Sequence, residues 1–211
     1  GAFSRYTKNA VGATDYPLQC PEPGSRATPP KERSPERKLL FFGYHTWRKG
    51  TSWALHALRN YNGPAMEIAV VGGGDDHAQI LDRSQSLPNS IKITIVNRYV
   101  DTAEMERWFD WASVVAAPYI DFGGSSGVLT HAVLANRPLV ASDNGYVANC
   151  VSENGIGVLF GQQDQSSFLD ALSTAFRENY SATVFEKPLT HIGTDKFVNH
   201  IAKLLEITDQ I

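Results

Sequence analysis

The chain has 211 residues, a formal net charge of -3 and a hydrophobic content of 42%, which is enough for one core of ordinary size. Its 19 Lys and Arg residues are dispersed, which argues against a general nucleic-acid-binding protein. The two cysteines, Cys20 and Cys150, are far apart and lack the spacing of a metal site. They predict reduced thiols in a cytoplasmic protein.

The first 37 residues of the chain differ in composition from the rest. Residues 1–37 are rich in Pro, Ser and charged residues, and they predict an N-terminal extension or interdomain linker. Residues 191–211 contain an amphipathic segment, which predicts a C-terminal helix packed on the domain. We expect the domain itself to occupy residues 38–190. The longest apolar run, SVVAAPYI, is far too short to span a bilayer.

Strand-like and helix-like segments alternate from residue 38 onward. Six short segments predict parallel strands, which are KLLFFG, MEIAVVGGG, IKITIVNRYV, SVVAAPY, RPLVAS and GIGVLF. The first of them is a continuous apolar run closed by Gly43, as expected of a buried parallel strand. Helical periodicity predicts helices over 51–61, 75–87, 101–112, 125–136 and 165–179. The third of these starts with a capping box formed by Asp101 and Glu104. The alternation predicts an α/β fold, a Rossmann-like parallel sheet with helices on both faces.

Five predicted strands end in a polar or glycine-rich loop. The loops are GYHTWRKG, GGGDD, NRYVD, YIDFGGSSG and SDNGY. Because the strands are predicted to be parallel, all five loops should lie along one edge of the sheet. Ligands of such sheets bind beyond the carboxyl ends of the strands, so this edge is the candidate site.

The fourth loop opens directly into a helix through small residues. Ser125, Ser126 and Gly127 leave the backbone N–H groups of the helix start accessible, and these groups carry a partial positive charge. Gly123 and Gly124 allow the preceding turn to adopt positive φ values. The arrangement suits a phosphate or diphosphate. A plainly capped helix after a glycine turn is the other interpretation that this segment allows on its own.

The first loop favours the anion site, because it places Lys49 and the neighbouring Arg48 on the same predicted edge. The segment GGGDD lacks the spacing of a dinucleotide-binding fingerprint, and the chain contains no Walker-type loop. No His/Cys cluster indicates a bound metal. We therefore expect neither a metal nor a cofactor.

A series of motifs in a fixed order suggests a family. Gly43, Lys49 and Gly50 follow the first strand at a characteristic spacing, and IAVVGGGDD, ITIVNRYVDTAEMERWF, ASVVAAPY, SSGVLTHAVLANRPLVASDNG and CVSENGIGVLF come after them. In this order the motifs resemble the C-terminal, nucleotide-sugar-binding domain of a GT-B glycosyltransferase, in particular glycosyltransferase family 4. The resemblance covers about residues 38–205.

The resemblance implies a glycosyltransferase of the hexosyltransferase type. Such an enzyme transfers a glycosyl group from a UDP- or GDP-linked sugar to the hydroxyl of a glycan, lipid or small-molecule acceptor, here by an expected retaining and metal-independent reaction. The implied diphosphate-binding residues are Gly43, Tyr44, Lys49, Ser125, Ser126, Gly127 and Val128. The implied nucleoside-binding residues are Asn97, Arg98, Tyr99 and His131. The implied sugar-binding residues are Asp121, Phe122, Gly123 and Gly124, and the implied catalytic residues are Lys49 and Asp121.

The resemblance also bears on what the chain needs in order to act. A two-domain enzyme of this kind would be about twice as long, at roughly 150–200 residues per domain. We therefore expect an N-terminal acceptor domain to be missing from this chain, and the chain alone to be inactive in transfer. Peripheral association with a membrane is common among such enzymes and is a further expectation from the family.

Several positions depart from the family pattern. Tyr44 stands where the family has arginine, and Gly123 and His131 stand where it has a pair of glutamates, which leaves Asp121 as the nearby carboxylate. These departures favour a second hypothesis, a non-catalytic GT-B-like domain that binds a ligand or a partner. Packing roles for Tyr44 and His131 and a plain loop role for Asp121 stay open. A flavodoxin-like or response-regulator-like module is a third hypothesis, against which the missing acidic phosphorylation cluster argues.

Overall fold

The computed structural model describes residues 31–124 and 126–189. Four features of the sequence lie outside the described residues: Cys20, Ser125, residues 1–30 of the predicted linker, and the helix predicted within 191–211.

Within the described residues, six strands form one parallel sheet. They are β1 (Lys38–Phe42), β2 (Met66–Val71), β3 (Ile91–Val96), β4 (Val114–Ala117), β5 (Leu139–Ser142) and β6 (Gly157–Phe160). Every pair of neighbouring strands is parallel, and the order across the sheet is β3-β2-β1-β4-β5-β6. The predicted sheet and its predicted strands are confirmed. The loops that follow the strands therefore lie along one edge, as expected.

Seven α-helices are present in the described part of the chain. They are α1 (Thr51–Ala57), α2 (His77–Ser84), α3 (Thr102–Trp111), α4 (Gly127–Leu134), α5 (Gly145–Asn154), α6 (Gln165–Arg177) and α7 (Thr183–Leu189). One-turn 3₁₀ helices over Trp47–Lys49 and Leu58–Asn60 flank α1. The helix predicted over 51–61 is therefore α1 continued by a 3₁₀ turn. None of the described helices is long and apolar enough to cross a membrane.

The sheet separates two apolar cores, because side chains along a strand alternate between its faces. On one face, Leu39 and Phe41 pack with helices α1, α2 and α6. On the other face, Leu40 packs with helices α3, α4, α5 and α7. The predicted placement of helices on both faces is confirmed. The direction of the crossovers changes between β1 and β4, so the loops after these two strands face each other at the switch point where ligands of such sheets bind.

Helix α5 lies in a stretch where no helix is predicted. It begins after Asn144 and ends at Gly155, which has a left-handed φ of 63°. An Asn-Gly start is typical of a turn, and the three buried residues of the helix, Val147, Ala148 and Val151, form a short stripe. Such a short helix is stabilised mainly by the surface against which it packs, and the sequence does not show that surface.

The last residues of the predicted linker contact the domain. The guanidinium of Arg33 donates to the carbonyls of Phe176 and Glu178 at 3.1 and 3.0 Å, at the end of α6. Arg37 lies over the ring of Phe176, 5.4 Å from its centroid. A cation is favourable at a helix C-terminus, where unpaired carbonyls carry partial negative charge. Residues 31–37 are thus part of the folded unit.

Arg137 is a buried arginine that joins two helix ends to this segment. Its side chain is 1% exposed, and it donates to the carbonyls of Phe109 and Asp110 near the end of α3 and to the carbonyl of Lys31. These distances are 3.1, 3.0 and 2.8 Å. A buried cation is tolerated when its donors are paired in this way.

We predict that Arg137→Ala lowers the free energy of unfolding by about 2–4 kcal/mol, because the carbonyls of Phe109 and Asp110 lose their donor inside the protein. Urea unfolding followed by circular dichroism measures the change. The matched control is Arg107→Ala, which removes an exposed arginine from the middle of α3 and should change stability by less than about 0.5 kcal/mol. Equal effects of the two substitutions would contradict the role given to Arg137.

Candidate functional site

The loop after β1 is held against the end of β4 by close backbone contacts. Gly50 has a φ of 66°, and a Cβ atom at this position would overlap the carbonyl oxygen of Pro118. The backbone N–H of Ile120 donates to the carbonyl of Arg48 at 2.9 Å. These two contacts bring Lys49 to the switch point between β1 and β4.

The ammonium of Lys49 is held by a tyrosine at this point. Its Nζ donates to the hydroxyl of Tyr119 at 3.1 Å and lies 4.4 Å from the centroid of the ring. The Tyr119 hydroxyl is in turn 2.6 Å from Oγ of Ser126, and both residues are buried. A Cβ atom built on Gly43 would lie 3.9 Å from Lys49 Nζ and 4.0 Å from a methyl of Val128. The structure therefore brings Gly43, Lys49 and the start of α4 together.

The start of α4 is electrostatically suited to an anion. Ser126 is its N-cap, and its Oγ accepts a hydrogen bond from the backbone N–H of Val128 at 3.3 Å. The first turn of the helix carries no acidic side chain. The positive end of the helix and the Lys49 ammonium thus face the same small region. An anion here would share the Val128 N–H with the serine hydroxyl or replace that hydroxyl.

A cavity of about 520 Å³ lies along the carboxyl ends of β1, β2 and β3, and Gly43 is its lining residue beside Lys49; Lys49, Ser126, Gly127 and Val128 themselves do not line it. Four residues predicted for the site line it, and these are Gly43, Tyr44, Tyr99 and His131. The remaining wall is formed by Phe42, Gly72, Gly73, Val100, Thr102 and Met105. The hydroxyl of Tyr44 donates to Asp75 at 2.8 Å, and the ring of His131 lies 5.6 Å from that of Phe109. Residues predicted for the diphosphate and for the nucleoside thus share one cavity.

Two further residues predicted for the nucleoside do not line this cavity. Arg98 makes a bidentate ion pair with Glu104, with both N–O distances at 2.8 Å. This pairing raises the pKa of Arg98 and holds the pKa of Glu104 below its usual range. The side-chain oxygen of Asn97 lies 3.8 Å from the Cβ position of Gly73, beside the cavity wall. In the predicted capping box, Asp101 does cap α3 by accepting from the N–H of Glu104 at 2.7 Å, while the Glu104 carboxylate pairs with Arg98.

The residues predicted for the sugar do not line this larger cavity. Phe122 packs edge-on against Tyr119, with ring centroids 5.2 Å apart, and lines a second cavity of about 140 Å³ with Thr46, Arg48 and Lys49. Asp121 is exposed, has a positive φ of 47° and accepts a hydrogen bond from Gln162 at 3.2 Å. The carbonyl of Gly123 accepts from the N–H of Tyr146, and Gly124 lies against the ring of Phe122.

Within 31–124 and 126–189, no group of three or more His, Cys, Asp or Glu side chains could hold a metal ion.

Comparison with known proteins places the chain in a family. The sequence model of the family Glycosyl transferases group 1 matches residues 36–178, which is more than half of the chain. The protein belongs to this family. The resemblance to GT-B glycosyltransferases stated from the sequence is thereby confirmed. No curated protein sequence matches the chain.

Solved structures of glycosyltransferases share the fold of this group 1 domain. The sucrose-phosphate synthase of Thermosynechococcus elongatus is 18% identical with a TM-score of 0.65, covering 83% of this chain and 46% of its own. HepE of Anabaena in complex with UDP is 16% identical with a TM-score of 0.63, covering 81% of this chain and 49% of its own. The lipopolysaccharide outer core galactosyltransferase WaaB is 15% identical with a TM-score of 0.66, covering 84% and 51%. The chain spans about half the length of these proteins.

Two buried residues of the group 1 domain support the site but are not predicted from the sequence. Tyr119 follows β4 in the segment ASVVAAPY, where nothing in the pattern shows that its hydroxyl reaches Lys49 and Ser126. His45 lies in the loop after β1, between two predicted site residues, where a polar side chain suggests solvent exposure. The position of each depends on contacts between loops that are far apart in the sequence.

His45 joins the loops after β1 and β2. Its side chain is 2% exposed, with Nε2 3.2 Å from the carbonyl of Val71 and Nδ1 3.0 Å from the hydroxyl of Thr51. Since a carbonyl can only accept, Nε2 carries the proton and Nδ1 accepts from Thr51. Burial lowers the pKa of His45 to about 4, and this effect outweighs the Val71 carbonyl, which favours the charged form.

We predict that this histidine makes stability depend on pH between about 4 and 6.5. In that window the unfolded chain binds a proton at His45 and the folded protein does not, so the free energy of unfolding rises with pH. The difference between a pKa of 6.5 and about 4 corresponds to about 3 kcal/mol over the whole window. Urea unfolding at several pH values measures it.

The histidine-specific part of this dependence is isolated by His45→Gln, which removes the titrating group. We expect the slope of stability against pH to flatten in this variant and to persist in His56→Gln, which changes a half-buried histidine on α1. An unchanged slope in His45→Gln would show that other groups cause the dependence.

Proposed function

We propose that this domain binds the nucleoside diphosphate part of an activated sugar, in an enzyme that transfers the glycosyl group to an acceptor hydroxyl. The observation that carries the proposal is the single cavity whose wall includes Gly43, beside the Lys49 ammonium and α4, together with Tyr99 and His131. Its volume of about 520 Å³ lies within the range of about 300–1,000 Å³ that is usual for small-molecule sites.

The diphosphate would lie between Lys49 and the start of α4. Two positively charged groups converge there, and in the absence of an anion they repel each other. A diphosphate would relieve this repulsion and accept hydrogen bonds from the ammonium, from Ser126 and from the backbone of Gly127 and Val128. During transfer the same groups would stabilise the negative charge that develops on the leaving diphosphate. Since this stabilisation needs no metal ion, we propose a metal-independent reaction, with a retaining outcome as the family resemblance implies.

The nucleoside would occupy the cavity beyond Gly43. Tyr99 is 89% exposed and lines the cavity, so its ring is placed to lie against a base. His131 can donate to or accept from a ribose hydroxyl. UDP and GDP are the first candidates, and the UDP complex of the structurally similar HepE favours UDP. The sugar would extend past Lys49 towards Phe122 and Asp121, and Asp121 is the proposed catalytic carboxylate.

We predict that calorimetry with UDP, GDP and ADP finds a nucleotide that binds the wild-type chain, and that Lys49→Ala weakens its binding about 30-fold. This factor corresponds to about 2 kcal/mol, the usual contribution of a hydrogen bond to a charged group. The matched control is Lys92→Ala, which removes the same charge from an exposed position near the amino end of β3, at the opposite edge of the sheet. It should bind the nucleotide as the wild type does.

The panel also separates the two functions that the sequence leaves open. Absence of binding by all three nucleotides at millimolar concentration would favour the non-catalytic alternative, in which the cavity serves another ligand or a partner. Unchanged affinity in Lys49→Ala would remove Lys49 from the site while leaving nucleotide binding in place.

We further predict that the 211-residue chain binds the donor without steady transfer of the sugar, because it spans about half the length of the glycosyltransferases it resembles. Transfer needs an acceptor held beside the sugar, and we propose that another domain holds it. Release of nucleoside diphosphate from UDP-glucose and GDP-mannose, with a panel of sugar and lipid acceptors, provides the assay. Sustained turnover by this chain would contradict the proposal.

A further inference from the structure

We propose that Tyr119 is a positioning residue for the diphosphate, through which Lys49 and Ser126 are held and oriented as one unit. The inference rests on the proposed function, and it concerns a residue that neither the motifs of the sequence nor the family resemblance assigns. It follows from the geometry of three side chains that come from two loops and one helix start.

Tyr119 holds the lysine in place. A lysine side chain on a loop has many rotamers, and fixing it costs conformational entropy. Here the ammonium of Lys49 meets both the hydroxyl oxygen of Tyr119, at 3.1 Å, and the face of its ring, at 4.4 Å from the centroid. Tyr119 is itself 4% exposed and packs against Phe122, so it is a rigid support. The ammonium is thus held before a ligand arrives, and two of its three donors are left for an anion.

The hydrogen bonds of Lys49, Tyr119 and Ser126 run in one direction. Lys49 can only donate, so the Tyr119 oxygen accepts from it. Within the described residues, the acceptor in reach of the Tyr119 hydroxyl proton is Oγ of Ser126, at 2.6 Å. We therefore assign Tyr119 as the donor to Ser126, whose oxygen also accepts from the N–H of Val128.

The orientation of the serine hydroxyl follows from this. With two hydrogen bonds accepted, Oγ of Ser126 has its own proton left to donate. The remaining donors of Lys49 lie beside Gly43, which lines the cavity, and we place the diphosphate between them and the Ser126 proton. The Tyr119 hydroxyl sets the direction of this series of hydrogen bonds. Phenylalanine at the same position would keep the ring but would lose the hydroxyl that links Lys49 to Ser126.

The experiment is a double-mutant cycle with Tyr119→Phe and Lys49→Ala. The probe is whichever of UDP, GDP and ADP binds the wild-type chain most tightly. We expect Tyr119→Phe to raise the Kd about tenfold in the wild-type background, and less than about threefold in the Lys49→Ala background, because the tyrosine acts in large part through the lysine. A purely structural role of Tyr119 would give the same factor in both backgrounds.

A matched control separates positioning from loss of stability. Tyr61 is another buried tyrosine, 8% exposed, whose hydroxyl donates to the carbonyl of Pro64 at 2.8 Å, away from the site. Tyr61→Phe removes one hydroxyl in the same way and should leave the Kd unchanged within about twofold, even if it lowers the melting temperature as much as Tyr119→Phe does.

The possible outcomes are distinguishable. If the wild-type chain binds none of the three nucleotides, the proposed function fails and this inference fails with it. If the wild-type chain binds and Tyr119→Phe binds equally well, the proposed function stands and the inference is overturned. The inference is also overturned if Tyr119→Phe has the same effect with and without Lys49, or if Tyr61→Phe weakens binding as much as Tyr119→Phe does.

Discussion

The approach of the Lys49 loop to the end of β4 is the constraint on which the candidate site depends. The loop can come this close because Gly50 has no side chain to meet the carbonyl of Pro118. Once it is there, the lysine ammonium lies near the positive end of α4, which would by itself be unfavourable. The oxygen and the ring face of Tyr119 supply the partial negative charge that holds the cation in place. The result is a region of positive potential at the point where the strand order changes direction.

The cavity has a positive charge beside it at the Lys49 end and an uncharged wall at its other end. Beyond Gly43 the wall is formed mainly by aromatic and apolar side chains and by glycines, with Thr102 and His131 as uncharged hydrogen-bonding groups. Arg98 would add a second cation near that end, but two of its guanidinium nitrogens donate to the two carboxylate oxygens of Glu104. A ligand with a dense negative charge at one end and a flat, uncharged body at the other matches this distribution. A nucleoside diphosphate has both features.

Hydrogen bonds of buried and half-buried polar side chains hold the loops and helix ends in position, while apolar packing stabilises the sheet. His45 bonds to the end of β2 and to the start of α1, so the loop that carries Lys49 is attached at both sides. At the opposite end of the domain, Arg137 and Arg33 bind carbonyls at the ends of α3 and α6. Each of these groups is hydrogen-bonded, as burial requires. The site therefore rests on loops whose positions are set by specific polar contacts rather than by general packing.

The sequence alone determined the architecture and the edge at which the site lies. Apolar runs predict parallel strands, and the strands β1 to β6 lie where these runs are. The inner strands β1, β2, β4 and β5 are mostly buried because helices cover both faces of the sheet, while the edge strands β3 and β6 are partly exposed. Polar residues after each strand then indicate the carboxyl edge. Helix α5 escaped prediction because its short apolar stripe becomes meaningful only against β5, β6 and α7. What only the tertiary structure decided is which polar side chains meet. The burial of His45 and the contact of Tyr119 with Lys49 join residues that are far apart in the sequence, and such hydrogen bonds leave no periodic trace in it. The pairing of Arg98 with Glu104 spans only six residues, but it depends on how the loop after β3 leads into α3.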